Sequence, residues 1–125
     1  DTVLDTKTNL MWAAKDNGAD INWANAKSYC ENYRGGGYTD WRMPTQDELA
    51  GLYDKGIGYT PACAASSVKD KVPLTNLITL SCWTGWASET RGSDAAVFSF
   101  DVGIRYWGPQ SYGTGSRALP VRFGK

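Results

Sequence analysis

The side chains that carry most enzyme chemistry are sparse in this chain of 125 residues, which has no histidine and three cysteines. Without histidine, the commonest general base and the commonest metal ligand are both missing. No cysteines form a Cys-x-x-Cys pair, so no zinc site is predicted. No nucleophile stands beside a candidate base, and Asp47 and Glu48 fall at a predicted helix start, where the helix dipole favours acidic groups. The sequence therefore predicts a protein that is not an enzyme and uses no cofactor.

The odd cysteine count favours one disulfide and one thiol. Cys63 and Cys82 lie in loop-like sequence near strand starts, and a bridge between them would stabilise the fold by ~3 kcal/mol on the chain-entropy estimate. Cys30 falls on the apolar face of a predicted helix, which favours a free thiol in the core. The alternative that all three cysteines are reduced stays open.

Two residue types in this chain suit a binding surface that does no catalysis, and arginine is the first of them. Arg91, Arg105 and Arg117 all come from the last third of the chain. A guanidinium group donates two parallel hydrogen bonds, which matches the geometry of sulfate and carboxylate groups. We therefore predict that these three arginines contact the ligand.

Aromatic residues are the other type, and six tryptophans are many for this length. Trp83 and Trp86 stand at odd spacing on a predicted strand, so one of them should face outward unless a bulge intervenes. Trp107 adjoins a polar, glycine-rich loop (108–117) that contains Tyr112. An exposed aromatic ring there can stack on a sugar or anchor a protein partner, so Trp86, Trp107 and Tyr112 complete the predicted ligand-binding set.

Bulk properties narrow the classes of partner. The 13 basic and 13 acidic residues cancel, so nucleic acid is not an expected partner. No apolar run approaches the ~20 residues that span a bilayer, so we expect no membrane insertion by this domain. The length fits a single domain over residues 1–125. Because the sequence starts at Asp1 with no visible signal peptide, we expect a mature protein or an excised domain.

Two helices are predicted in the first half of the chain. Asn22 is a suitable N-cap for the first helix, and Gly35-Gly36-Gly37 is expected to end it. An apolar stripe at helical spacing runs along this helix, formed by Trp23, Ala26, Cys30 and Tyr33. The second helix opens with a capping box between Thr45 and Glu48 and is expected to end at Gly56.

Strands are predicted at both ends of the chain. Two short ones cover residues 3–6 and 10–13, and later ones cover 81–88, 95–102, 104–107 and 119–123. Residues 57–78 show little periodicity and are predicted to be irregular. Helices come early and most strands come late, which predicts an α+β fold and not repeated βαβ units.

Several blocks resemble one known family. Residues 23–30 resemble its helix signature Trp-x-x-Ala-x-x-Tyr-Cys, and residues 36–45 its hallmark Gly-Gly-Tyr-x-Asp-Trp-Arg-Leu-Pro-Thr, with methionine in place of leucine. Residues 10–12 (Leu-Met-Trp), 82–84 (Cys-Trp-Thr) and 120–122 (Pro-Val-Arg) are similar to its shorter motifs. The chain thus resembles the C-terminal domain of the Legionella collagen-like adhesin, over nearly its whole length.

The resemblance implies a C-type-lectin-like fold, with two helices packed on a small, mostly antiparallel sheet and long irregular loops. It places the ligand face in the last third of the chain. It also implies export to the cell surface of a bacterium, a glycan or protein ligand there, and homo-oligomer formation as an option. Family members often have cysteine before the terminal Val-Arg, where this chain has Leu119-Pro120. The calcium-binding strings of true C-type lectins, Glu-Pro-Asn and Trp-Asn-Asp, are absent, so no metal is expected.

Two functions remain open at this point. One is an adhesin-like module that recognises a glycan or host surface, and the other is a structural or assembly module of a pilus or fibre. The zero net charge weighs against carrying over the sulfated-polysaccharide binding of the best-known family member.

Overall fold

A computed structural model describes residues 2–52, 78, 82, 84–100, 103–111 and 116–124. In that part, the chain forms two α-helices, one short 3-10 turn and seven strands. The strands form two sheets against which the helices pack, so the predicted α+β class is confirmed. No helix in the described ranges is both long and apolar enough to cross a membrane.

The first sheet joins the two ends of the chain. Strand β1 (Thr2–Asp5) pairs antiparallel with β2 (Leu10–Ala13), and β2 pairs antiparallel with β7 (Val121–Phe123). The turn between β1 and β2 contains Asn9 at a φ of 58°, a left-handed conformation that asparagine tolerates well. The predicted hairpin and closing strand are therefore confirmed.

The second sheet has the strand order β5-β4-β3-β6. Strands β3 (Thr84–Arg91), β4 (Asp94–Ser99) and β5 (Ile104–Pro109) are antiparallel, and β6 (Ser116–Arg117) runs parallel to β3. The register of β3 on β4 shifts between Trp86 and Thr90, so an irregularity interrupts this ladder after Trp86. β5 forms one edge of this sheet, which matters for the site below.

Strand β4 is buried on both faces, and its alternate residues enter two different hydrophobic clusters. Ala96 and Phe98 pack in a cluster with Leu49 of the second helix. Ala95 and Val97 pack in a second cluster, with Cys30 of the first helix. Full burial of one such large apolar side chain stabilises the fold by about 1.5–3 kcal/mol, so helices on both faces hold this sheet in place.

Helix α1 (Trp23–Asn32) starts as predicted but ends for a different reason. The Asn22 side chain accepts a hydrogen bond of 2.9 Å from the backbone N–H of Asn25, which confirms the N-cap. The helix stops because Tyr33 turns extended, before the glycines are reached. Gly36 and Gly37 instead form the following 3-10 turn, with φ values of 68° and 83° that favour glycine.

Helix α2 (Gln46–Leu52) has the predicted capping box in full. The backbone N–H of Glu48 donates to Thr45 Oγ1 at 3.1 Å, and the N–H of Thr45 donates to Glu48 Oε1 at 2.8 Å. Gly56, and nearly all of the irregular stretch 57–78, lie outside the described residues.

Cys30 is a buried, free thiol, which confirms its predicted place in the core. Cys82 is also buried. Its predicted partner Cys63 lies outside the described residues, so the bridge stays a prediction.

Candidate ligand-binding face

The hallmark block 36–45 connects distant parts of the fold, and its charged residues are used for that purpose. Arg42 donates from both terminal nitrogens to Glu48, at 2.8 Å each. Its backbone exchanges two hydrogen bonds with Val121, at 2.9 and 3.0 Å. Burial alone would raise the pKa of Glu48, but the hydrogen bonds from Arg42 and Thr45 outweigh it and lower the pKa. These contacts tie the link before α2 to the last strand.

A second ion pair, between Asp40 of the block and Arg122 of β7, also ties the block to the last strand. Arg122 donates to both carboxylate oxygens of Asp40, at 2.6 and 3.1 Å, and its guanidinium lies 3.7 Å from the ring centre of Tyr38. The hydrogen bond from Arg122 lowers the pKa of Asp40. Both arginines of these motifs are therefore committed to the scaffold.

Most of the described tryptophans are also held inside by their indole N–H groups. Trp41 donates to the carbonyl of Gly35 at 3.1 Å, and Trp23 to that of Ala87 at 2.9 Å. Trp12 differs. Among the buried side-chain nitrogen and oxygen atoms of the described residues, its indole nitrogen is the one without a hydrogen-bond partner. These three residues are therefore part of the scaffold.

Two of the six predicted ligand contacts are also interior, and these predictions are corrected. Trp86 is 1% exposed, and its indole N–H donates to Ile21 O at 2.7 Å. It lies opposite Val97 across the ladder, so it points into the cluster that α1 covers. Arg117 is 7% exposed because β6 lies against β3, and its guanidinium pairs with Asp20. Neither side chain can meet a ligand at the surface.

Three of the six residues do meet, on the edge of the second sheet. Arg105 and Trp107 stand two residues apart on β5 and so share one face. The guanidinium of Arg91, at the end of β3, lies 4.5 Å from the ring centre of Trp107. With Arg91 in place, Trp107 is still 36% exposed. We call this surface the Trp107 face, and define it by Arg91, Arg105 and Trp107 with the acidic groups described next.

Helix α2 borders the Trp107 face. Asp47, in its first turn, forms an ion pair with Arg105 of β5. The backbone N–H of Gln46 donates to the carboxylate of Glu89, at 2.9 and 3.2 Å. The Gln46 side chain also donates to Val97 O at 2.9 Å, which holds α2 against the sheet. Asp47 and Gln46 were missed as site residues because their partners lie more than 40 residues away in the chain.

The charges on the Trp107 face nearly cancel. Arg91 lies directly opposite Asp94 in the ladder, and opposite residues of an antiparallel pair share a face. Together with Asp47 and Glu89, this gives three carboxylates against the guanidinium groups of Arg91 and Arg105. The face therefore offers an aromatic ring with both hydrogen-bond donors and acceptors around it.

The other face of β5 carries exposed apolar side chains. Ile104 and Tyr106 alternate with Arg105 and Trp107, and both are exposed because β5 is an edge strand. The remaining predicted contact, Tyr112, lies outside the described residues. In the part of the chain that the structure describes, no three acidic, histidine or cysteine side chains are grouped to hold a metal ion.

The family model described as the Lcl C-terminal domain matches residues 1–122, a span that includes the hallmark block and every strand of both sheets except the last residue of β7. No curated protein matches the chain in sequence.

Proposed function

The chain belongs to the Lcl C-terminal domain family, that of the Legionella collagen-like protein, which indicates a surface-protein domain, and from this premise we propose that it is a non-catalytic binding module. It recognises a glycan or another host-surface molecule through the Trp107 face. The module is exported and acts at the cell surface.

The observation that carries the proposal is the stack of Arg91 on the still exposed ring of Trp107. A cation over an aromatic ring contributes about 0.5–1 kcal/mol at an exposed site, so the ring is held in place before a ligand arrives. β5 is paired along its whole length with β4, which is buried on both faces. A fixed aromatic ring on a rigid strand loses little conformational entropy on binding.

The titratable groups support a binding role over a catalytic one. The lowered pKa values of Asp40 and Glu48 accompany ion pairs that brace the fold. Burial raises the pKa of the Cys30 thiol to about 12, which opposes formation of the nucleophilic thiolate. None of these groups lies on the Trp107 face.

The first experiment is a glycan array probed with the domain displayed multivalently, with calcium and with chelator. Multivalent display raises weak single-site binding to a measurable level. We expect Trp107→Ala to weaken binding tenfold or more, as loss of a central aromatic anchor does, and chelator to have no effect. Loss of binding under chelator would show that a metal takes part.

Phe123→Ala is the matched control for this experiment. Phe123 is also an exposed aromatic ring beneath an arginine, with Arg42 at 4.7 Å, but it belongs to the first sheet. We expect binding to survive Phe123→Ala. If Trp107→Ala binds as well as the unmodified domain, the ligand does not use the Trp107 face.

Assembly is a second candidate, favoured by the exposed apolar side of β5. An edge strand that exposes Ile104 and Tyr106 is a template for pairing with another chain. We expect a self-associating domain to become monomeric on Tyr106→Lys, as measured by size exclusion with light scattering. A domain that is monomeric at high concentration before any substitution would count against assembly through this strand.

A further inference from the structure

We infer that the Trp107 face takes an uncharged saccharide and not a sulfated one, an inference that rests on the proposed binding function. A sugar ring without charge would pack on Trp107, and its hydroxyl groups would be held by the charged groups around it.

Two of the three arginines predicted to bind sulfate are already paired with carboxylates. Arg105 donates from one terminal nitrogen to Asp47, and Arg117 is buried and paired with Asp20. Arg91 lies against the ring of Trp107. Sulfate recognition uses two parallel N–H groups aimed at its oxygens, so a sulfate bound by Arg105 would compete with Asp47 for its guanidinium group.

The electrostatics of the face oppose an anionic ligand further. A sulfate group beside Trp107 would approach the carboxylates of Asp47, Glu89 and Asp94, with two guanidinium groups to offset them. The whole chain, at zero net charge, adds no attractive long-range field. Like charges placed together at a binding surface disfavour that partner, so the face discriminates against polyanions.

The same groups suit hydroxyls. A hydroxyl both donates and accepts hydrogen bonds, whereas an ionised sulfate only accepts them. Carboxylates at the rim of Trp107 can accept from a sugar, and the guanidinium of Arg91 can donate to it. A mixed rim around an aromatic ring therefore matches a polyhydroxylated, uncharged ring better than it matches either an anion or a plain apolar group.

The test compares each neutral polysaccharide with its sulfated form on the same backbone. Dextran with dextran sulfate is a suitable pair, beside neutral, carboxylated and sulfated oligosaccharides on the array. The purified domain is used unmodified and as Trp107→Ala, Phe123→Ala and Asp47→Asn. Binding is measured before and after a tenfold rise in NaCl concentration.

We expect neutral glycans to bind, with less than about a twofold change in affinity over that range of salt, since no ions are released. Two arginines that neutralise a polyanion would instead lose about 60-fold, at the counter-ion release of a nucleic-acid duplex. Asp47→Asn, which frees Arg105 and removes one carboxylate from the face, should raise binding to the sulfated partners relative to binding to the neutral ones.

Other outcomes separate the two proposals. Binding confined to sulfated glycans, steeply salt-dependent and lost in Trp107→Ala, would overturn this inference and leave the binding function standing. Glycan binding that survives Trp107→Ala, or no glycan binding of either kind, would overturn the site itself and this inference with it.

Discussion

Replacing Glu48 tests whether the hallmark block holds this fold together. The Glu48 carboxylate accepts three hydrogen bonds of 2.8 Å, two from the Arg42 guanidinium and one from the backbone N–H of Thr45. The side chains of the pair are 18% exposed for Glu48 and 30% for Arg42. Glu48→Ala thus removes a two-pronged ion pair and one half of a capping box in a partly buried setting.

The size of the loss follows from those contacts. Hydrogen bonds to charged groups stabilise by about 1.5–3 kcal/mol, and a helix cap by about 1 kcal/mol. These contributions overlap, so we expect Glu48→Ala to cost about 2–4 kcal/mol. Glu48→Gln keeps an oxygen that can accept from Thr45 and should cost about half as much. For a domain of this size, 1 kcal/mol corresponds to about 3–5 °C in Tm.

Urea unfolding and calorimetry measure these differences, and Glu31→Gln is the control. Glu31 also forms an ion pair, with Lys27 at 2.7 Å, but the side chains are 51% and 48% exposed. An exposed pair of this kind contributes about 0.3–0.5 kcal/mol. If Glu48→Gln lowered the free energy of unfolding by no more than Glu31→Gln does, the ion pair with Arg42 would not stabilise the fold, and the reasoning would be refuted.

The same pair predicts how stability depends on pH. The pKa of Glu48 is lowered on folding from an ordinary value of 4.5, because hydrogen bonds from Arg42 and Thr45 outweigh the effect of burial. Its contribution is therefore complete above about pH 4.5 and is lost as the pH falls through the folded pKa. The difference in Tm between the unmodified domain and Glu48→Gln should shrink with acidification. A difference that stays constant from neutral to strongly acidic pH would contradict this.

Two further predictions concern the interior. In urea unfolding, Trp86→Phe should lower the free energy of unfolding by about 1–2 kcal/mol more than Trp12→Phe does. The reason is that the Trp86 N–H donates to Ile21 O at 2.7 Å, whereas the Trp12 N–H has no partner. Equal losses would contradict this prediction. Cys30 should resist iodoacetamide in the native domain near pH 8 and react once the domain is denatured, since its thiol is buried with a pKa of about 12. Mass spectrometry of the Cys30 peptide reads this directly, and rapid native labelling would show that the thiol is accessible.

Features that act over a few residues were predictable from the sequence. The N-cap at Asn22 and the capping box between Thr45 and Glu48 form as expected, because each satisfies helix-terminal N–H groups within three residues. The sequence of β4 places alternate side chains on two distinct faces. It could not show that both are buried, since that depends on α1 and α2 arriving from opposite sides.

Exposure was the property that the sequence could not supply. Trp86 was predicted at the surface from its spacing, but the register with Val97 turns it toward α1. Arg117 is removed from the surface by β6 pairing with β3, and its partner Asp20 lies 97 residues away. Trp107 is exposed for a complementary reason, because β5 has no neighbour on its outer side within the described sheet.

The contacts of the arginines explain why membership of the family predicts the fold of this chain better than it predicts the ligand. The arginines of the family motifs, Arg42 and Arg122, are each bonded to a carboxylate and each lie against an aromatic ring, Phe123 and Tyr38. Arg91 and Trp107 lie on an exposed edge, where their stacking on each other contributes little to holding the sheets together. A change at Arg42 must therefore disturb the fold, whereas a change at Trp107 can alter the ligand at small cost in stability. For this reason the hallmark block identifies the fold, whereas the class of ligand has to be inferred from the residues on the β5 edge of this particular chain.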